Sequence, residues 1–364
     1  MAQSKIKIAL IGEMLSKGGA ERVQARLSGY LANLGIEVHH IIFIDEVTYS
    51  YSGSILNLGK QKTKKNKFLN KWLMLKALRA YLKEHAFDFL IDFRAKHNYF
   101  QELVINRFIY NAPYVVSVRS SNLQYHFPKN RFFARIIYNK CFGFVGVSQS
   151  ITTKVTQQYR FKNVTTIYNP IDIEEIEKLS MDEIQLPDKY ILGIGRMKDN
   201  VKQFDHLIKS FQISEATSQN IKLVIVGEGE YKTELEKLVL EKNLKEHVVF
   251  YPFAKNPFPY YKNALFTAMT SKFEGFPNVL IESLATGTPV VSYNCNSGPN
   301  EIINHKENGL IVKNQDIDEM TLAINSMLLD KTLYEKCAQN AKQSVARFSP
   351  NHIITDWLKF LELN

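Results

Sequence analysis

"YILGIGRMKDNVKQFDHLI", Tyr190 to Ile208, runs from a short apolar strand through a glycine and a charged loop into apolar residues at helical spacing. The first five residues read as a buried strand, and Asp205 to Phe211 reads as the helix after it. The stretch decides the fold because the same order has already run once upstream. "KIKIALIG" ends at Gly12, Gly18 and Gly19 open a helix to about Leu34, and "EVHHIIFI" is the next strand. Phe68 to His85 is helical, and "DFLIDF", "PYVVSV" and "GFVGVS" are further short apolar strands, as a parallel sheet covered on both faces requires. A polar, Pro-containing connector, "EEIEKLSMDEIQLPDK", then precedes Tyr190, where the pattern restarts. "IKLVIVGEG", "HVVFYPF", "ALFTAMTS" and "TPVVSYN" continue it as strands, with helices over Tyr231–Asn243 and Asn278–Thr286 between them. Two successive βα arrays predict two doubly wound domains, with ligands outside the carboxyl ends of the strands. Pro350 to Leu363 reads as a final amphipathic helix with no strand after it.

Length agrees, since 364 residues exceed one ordinary core and suit two domains. Cys141, Cys295 and Cys337 are scattered and odd in number, which excludes a disulfide framework and points to a reducing cytoplasm. The amino terminus reads as a first strand rather than a signal peptide, and no apolar run reaches the length of a membrane span. The net charge of +10 is unevenly placed. Residues 1–170 hold 25 Lys and Arg against 9 Asp and Glu, a net +16, whereas residues 171–364 hold 21 against 27, a net −6. The first half is expected to face something anionic: nucleic acid, lipid headgroups or a phosphorylated substrate.

The candidate chemistry gathers in the second array. Gly195 and Arg196 stand at the carboxyl end of "YILGIGR", and Lys202 begins the next helix. Two cations there suit a diphosphate, although an exposed Arg and Lys near a helix start also occur as plain solvated charges. Gly227, in "GEGE" after "LVIV", permits close backbone approach to a ligand, but a βα turn needs glycine anyway. In "EGFPNVLIE", Glu274 and Gly275 lie on the loop facing a helix N-terminus, with Pro277 and Asn278 at its first turn. Glu282 is the one acid among Val279, Leu280, Ile281, Leu284 and Ala285, where a carboxylate needs a reason to be. Its expected partner is a pair of sugar hydroxyls.

"EGFPNVLIE" resembles the E-x7-E signature of family 4 retaining glycosyltransferases of the GT-B fold. "GRMKDNVKQFDHLI", "KGGAER", "ATGTPVVSYNCNSGPNEII" and "ARFSPNHIITDWLKFL" resemble other segments of that family in family order. The resemblance implies an α/β GT-B fold of two Rossmann-like domains facing across a cleft. Residues 1–168 would bind acceptor, residues 169–345 the nucleotide-sugar donor, and 346–364 would cross back to the first domain. It implies that Arg196 and Lys202 bind the donor diphosphate and stabilise the departing nucleotide, and that Glu282 holds the ribose. Glu274 would hold the transferred sugar, with Gly275, Phe276 and Pro277 shaping its pocket beside Asn278 and Val279. Gly195 and Gly227 would line the donor, and Gly18 and Gly19 would approach its diphosphate. No cofactor and no divalent metal are implied. One departure stands out: many relatives carry His after the strand ending "VVS", where this chain has Arg119. Arg119 reads either as a binder of sugar or acceptor phosphate or as a surface-loop arginine. His97 and His126 nearby have no motif behind them.

The expected reaction is transfer of a hexose or N-acetylhexosamine from a UDP-linked donor to a glycan or lipid-linked acceptor in surface polysaccharide or glycoconjugate synthesis. Six lysines between Lys60 and Lys71, then Trp72, and Arg107, Arg131, Arg135 and Lys140 among aromatics suit an anionic membrane surface or a single-stranded nucleic-acid groove, although a charge run also occurs as a plain solvated face. The resemblance favours the membrane, because many relatives act on lipid-linked acceptors from the cytoplasmic side, so the expected place is the cytoplasm, peripheral on the membrane, with no nucleic-acid partner. The alternatives are a GT-B sugar-nucleotide epimerase or phosphorylase, and a basic nucleic-acid-binding protein. The last leaves the second-array constellation unexplained.

Overall fold

The computed structural model describes residues 5–16, 18–61, 66–96 and 98–363, with the side chain of Lys67 left out. His97 and the lysines at 62, 64 and 65 lie outside the described residues, as does Lys17 of "KGGAER". The chain forms two compact units, Met1–Pro170 with Pro350–Asn364, and Ile171–Ser349.

The first unit is built on a seven-stranded parallel sheet: β1 Lys7–Gly12, β2 Glu37–Ile42, β3 Ser54–Asn57, β4 Phe89–Asp92, β5 Tyr114–Val118, β6 Gly143–Gly146 and β7 Val164–Thr166. Their order is β3-β2-β1-β4-β5-β6-β7, so the direction of winding reverses between β1 and β4. Helices α1 Gly19–Asn33, α2 Lys67–His85, α3 Tyr99–Val104, α4 Arg131–Ile137 and α5 Gln149–Tyr159 cover it. Because parallel crossovers are right-handed, α1 lies on one face and α2 to α5 on the other. The carboxy-terminal helix Pro350–Phe360 packs on α1, where Trp357 and Ile353 join a core with Leu27, Leu31, Ile91 and Val115. After α3 the chain makes one π turn, Ile105–Ile109.

The second unit repeats the plan with α6 Ile173–Leu179, β8 Tyr190–Ile194, α7 Phe204–Gln212, β9 Lys222–Val226, α8 Lys232–Glu241, β10 Val248–Tyr251, α9 Phe258–Lys262 and β11 Phe266–Met269. It continues through α10 Asn278–Ala285, β12 Val290–Tyr293, α11 Pro299–Ile302, β13 Gly309–Val312, α12 Ile317–Leu329 and α13 Lys331–Val345. The parallel order β10-β9-β8-β11-β12-β13 reverses between β8 and β11. The polar connector expected before β8 is partly helical instead. Asp172 caps α6 by accepting the Glu175 N–H at 3.0 Å, and Glu174 and Glu175 favour its first turn.

Candidate active site

An open α/β sheet leaves its crevice where the winding reverses, because the loops after the two neighbouring strands part there. In the second unit those are the loops after β8 and β11. Lys202, from the first, donates to Glu274 Oε1, from the second, at 2.6 Å. Their side chains are 22% and 15% exposed, so the pair is largely shielded yet reachable. Three further bonds sew the loops together. Thr270 Oγ1 donates to the carbonyls of Lys202 and Gln203 at 3.0 and 2.8 Å, and the Lys272 N–H donates to Val201 O at 2.8 Å.

Gly195 makes room for this lysine, since a Cβ there would stand 3.2–3.4 Å from the Lys202 Cε, Cγ and Cδ. Gly227 has a packing task of its own. A Cβ on it would lie 2.0 Å from the Gly195 carbonyl oxygen, so the glycine lets the loop after β9 pass against the loop after β8. The Gly195 N–H to Val226 O bond at 3.0 Å and the Met197 N–H to Glu228 O bond at 2.8 Å fix that contact. Arg196 thus projects from a clamped backbone. Its side chain is exposed and has no hydrogen bond or ion pair among the described residues.

The loop carrying Glu274 is supported from below. Ser297 Oγ donates to Gly275 O at 2.7 Å, and Gly298, at φ +96°, lets its turn pass within contact of Pro277, where a Cβ would be 2.4 Å from Cδ. Phe276 is buried, with its ring edge-on to Phe348 at 5.4 Å. Asn278 and Val279 remain half-exposed at the start of α10. Glu282, on the next turn, is 4% exposed, and Tyr261 donates to its Oε2 at 3.1 Å. Cys295 lies buried close by. Burial, with the Glu274 charge adding to it, pushes its thiol up to about 12 and keeps it protonated.

In the first unit Gly18 and Gly19 begin α1, and the Glu21 carboxylate folds back beneath Gly18, 1.8 Å from where a Cβ would stand. Arg119 is no loose surface residue. Its Nη2 donates to Asn169 Oδ1 at 2.6 Å, its guanidinium lies 5.6 Å over the Phe93 ring, and its backbone N–H donates to His126 Nε2 at 3.2 Å. Burial pulls its pKa down to about 10, against the opposing charge of Glu21, and it stays cationic at neutral pH. His126 is buried and pushed down to about 3, chiefly by burial, so it is a neutral acceptor holding the Arg119 backbone.

At the winding reversal of this unit lies a group that sequence reasoning missed. Asp92, at the end of β4, accepts from Arg94 Nη2 at 2.7 Å, Lys96 Nζ at 2.5 Å and Tyr110 Oη at 2.9 Å. Glu102, on α3, accepts from Arg94 Nη2 at 3.0 Å. All five side chains are buried. The signal was present in "DFLIDFRAKHN", where Asp92, Arg94 and Lys96 alternate with Phe93 and Ala95 from the strand's last residue, but it marks a closed, buried network rather than a ligand site. Among the described residues, no group of three His, Cys, Asp or Glu side chains is placed to hold a metal ion.

Two doubly wound parallel sheets, one with a lysine–glutamate pair bridging the loops where its strand order reverses, have the architecture expected of a GT-B protein. The comparisons agree. The family models for glycosyltransferase family 4 and for glycosyl transferases group 1 match residues 17–175 and 176–344. The N-acetylgalactosamine-N,N'-diacetylbacillosaminyl-diphospho-undecaprenol 4-alpha-N-acetylgalactosaminyltransferase of Campylobacter jejuni is 32% identical over 98% of this chain and 99% of its own. A second Campylobacter jejuni enzyme, an alpha-1,4-N-acetyl-D-galactosaminyltransferase, is 29% identical over 98% of both chains. Among solved structures, TarM of S. aureus superposes with a TM-score of 0.79 at 16% identity over 99% of both chains. HepE of Anabaena, in complex with UDP, gives 0.75 at 18% identity, over 98% of this chain and 100% of its own. The chain belongs to the family 4, group 1 glycosyltransferases.

Proposed function

We propose that this chain is a retaining, metal-independent glycosyltransferase that moves a hexose or N-acetylhexosamine from a UDP-linked donor to a glycan or lipid-linked acceptor. The observation that carries the reading is the Lys202–Glu274 pair at the reversal of the second sheet, with Arg196 exposed beside it. The two matched Campylobacter jejuni enzymes carry diphospho-undecaprenol acceptors in their names, and the HepE complex holds UDP, which supports both substrate classes. The comparisons favour neither an epimerase or phosphorylase nor a nucleic-acid-binding protein.

In this reading, breaking the bond between the sugar and the diphosphate leaves charge on the departing nucleotide, and Arg196 and Lys202 stabilise it. Glu274 holds hydroxyls of the transferred sugar, Glu282 holds the ribose, and the backbone of Gly275 to Pro277 with Asn278 and Val279 shapes the pocket. Gly18 and Gly19 give the diphosphate close backbone approach, and Arg119, a fixed cation, takes acceptor phosphate or sugar hydroxyls. The enzyme works in the cytoplasm, attached peripherally to an anionic membrane through its basic first unit. Among the described residues no helix is long and apolar enough to cross a membrane.

A thermal-shift panel of UDP-, GDP- and ADP-sugars tests the donor site. A ligand held only by the folded chain raises the melting point, so UDP-sugars should stabilise and the others should not. Stabilisation by none of them would refute the assignment.

A further inference from the structure

The large apolar side chains exposed in the first unit are concentrated on the layer formed by α2 to α4. Phe68 and Trp72, one turn apart on α2, are 87% and 57% exposed. Phe100, Val104 and Phe108 continue the same spacing through α3 and its π turn, and Phe100 is 75% exposed. Phe132 and Ile136 repeat it on α4, with Phe132 62% exposed. These helices share one face of the sheet, and α3 packs on α4, where the Phe100 and Phe133 rings lie 5.8 Å apart. The stripes therefore belong to one surface rather than to scattered positions. Isolated exposed apolar residues need no explanation, but a contiguous aromatic face does.

The charges around the stripes have one sign. Arg107, Arg131 and Arg135 are exposed on the π turn and α4, and the only acid between residues 99 and 137 is Glu102, buried against Arg94. On α2 Lys76 and Arg79 are exposed, and no acid precedes Glu84. The guanidinium of Arg131 lies 5.0 Å over the Phe132 ring, and Lys76 Nζ lies 5.2 Å from that of Trp72. A second copy of the chain would bring like charges together on such a face. An anionic bilayer instead accepts cations at its headgroups and aromatic rings below them.

We propose that the α2–α3–α4 face is a monotopic membrane anchor whose aromatic side chains insert into an anionic leaflet. This deepens the peripheral attachment proposed above, replacing purely electrostatic adhesion through the lysine run by insertion of a named face. Among the described residues, the other exposed apolar side chains lack this three-helix arrangement beside one sign of charge.

The chain reports on its own insertion, because it has two tryptophans and only Trp72 is exposed, Trp357 being 4% exposed. Full-length protein is mixed with phosphatidylcholine vesicles with and without phosphatidylglycerol, and sedimentation and tryptophan emission are recorded. The expected result is co-sedimentation and a blue shift only with phosphatidylglycerol present. In the double variant Phe100→Ser/Phe132→Ser binding should weaken by about tenfold or more, since two buried rings are lost. The Phe100→Leu/Phe132→Leu variant should retain most of it and controls for folding. Unchanged binding of the Ser variant, equal binding to neutral vesicles, or a dimer that the Ser variant converts to monomer would each overturn the anchor. Donor binding by the Ser variant is read separately by thermal shift. Its loss in wild type and variant alike, with vesicle binding intact, would fault the enzymatic reading and leave the anchor standing.

Discussion

Lys202 and Glu274 hold each other at 2.6 Å across the point where the strand order of the second sheet reverses. The two charges compensate each other, and Arg196 beside them is a cation without a partner among the described residues. In the function proposed above, donor binding draws Lys202 from carboxylate to phosphate and frees Glu274 for sugar hydroxyls. Glu274→Gln removes the competing charge, so UDP should bind several-fold tighter while kcat falls by about a hundredfold, as losing one transition-state contact does. Calorimetry with UDP and steady-state rates check both. Weaker UDP binding with normal turnover would separate the pair from donor binding.

Gly227 and Gly195 pass backbone to backbone, with no space for a side chain between them. Gly227→Ala is expected to push apart the loops that present Arg196 and Lys202. The melting point should fall and the donor KM should rise together. If the variant matches wild type in both, the clamp does not hold those residues.

Tyr261 donates to the buried Glu282 at 3.1 Å. Tyr261→Phe takes a charge-assisted hydrogen bond from a buried carboxylate and should cost about 2 kcal/mol of stability. If Glu282 serves the ribose, the same change raises the donor KM and leaves kcat nearly intact, because the bond is present in ground and transition states alike. A fall in kcat at unchanged KM would place Glu282 in another role.

The network around Asp92 makes a pH prediction. Burial raises the Asp92 carboxyl, but the charges and hydrogen bonds of Arg94 and Lys96 outweigh it and leave it well below the ordinary carboxylate range. A depressed folded value means stability that is present above about pH 4 and lost as pH falls further. Asp92→Asn, which breaks a buried pair, should cost about 3 kcal/mol at neutral pH. The gap between variant and wild type in urea melts should close below about pH 4. A gap constant with pH would show that the carboxylate charge is not what stabilises the network.

Much of this architecture was legible because its signals are local. Buried parallel strands read as apolar runs, and the restart at Tyr190 marks the second sheet without any knowledge of contacts. Glu274, Lys202 and Arg196 could be singled out because strand ends and helix starts place ligands by rule. What sequence could not supply were relations between distant residues. It could not show that Lys202 closes on Glu274, that Gly227 serves Gly195, or that Phe276 belongs to Phe348. Asp92, Arg94, Lys96 and Glu102 carry no motif, and only the fold buries them together. Arg119 read equally as a surface residue, and it takes Asn169, fifty positions away, with Phe93 and His126 to fix it.

Anomeric NMR of the product tests the central claim most directly. An α-linked UDP-N-acetylhexosamine is incubated with a polyprenyl-diphosphate-linked acceptor and EDTA, using wild type and Lys202→Ala. The expected result is an α-linked product from wild type in the presence of EDTA, with formation slowed by about a hundredfold or more in the variant. A β-linked product, or wild-type transfer abolished by EDTA, would contradict retaining chemistry driven by Arg196 and Lys202.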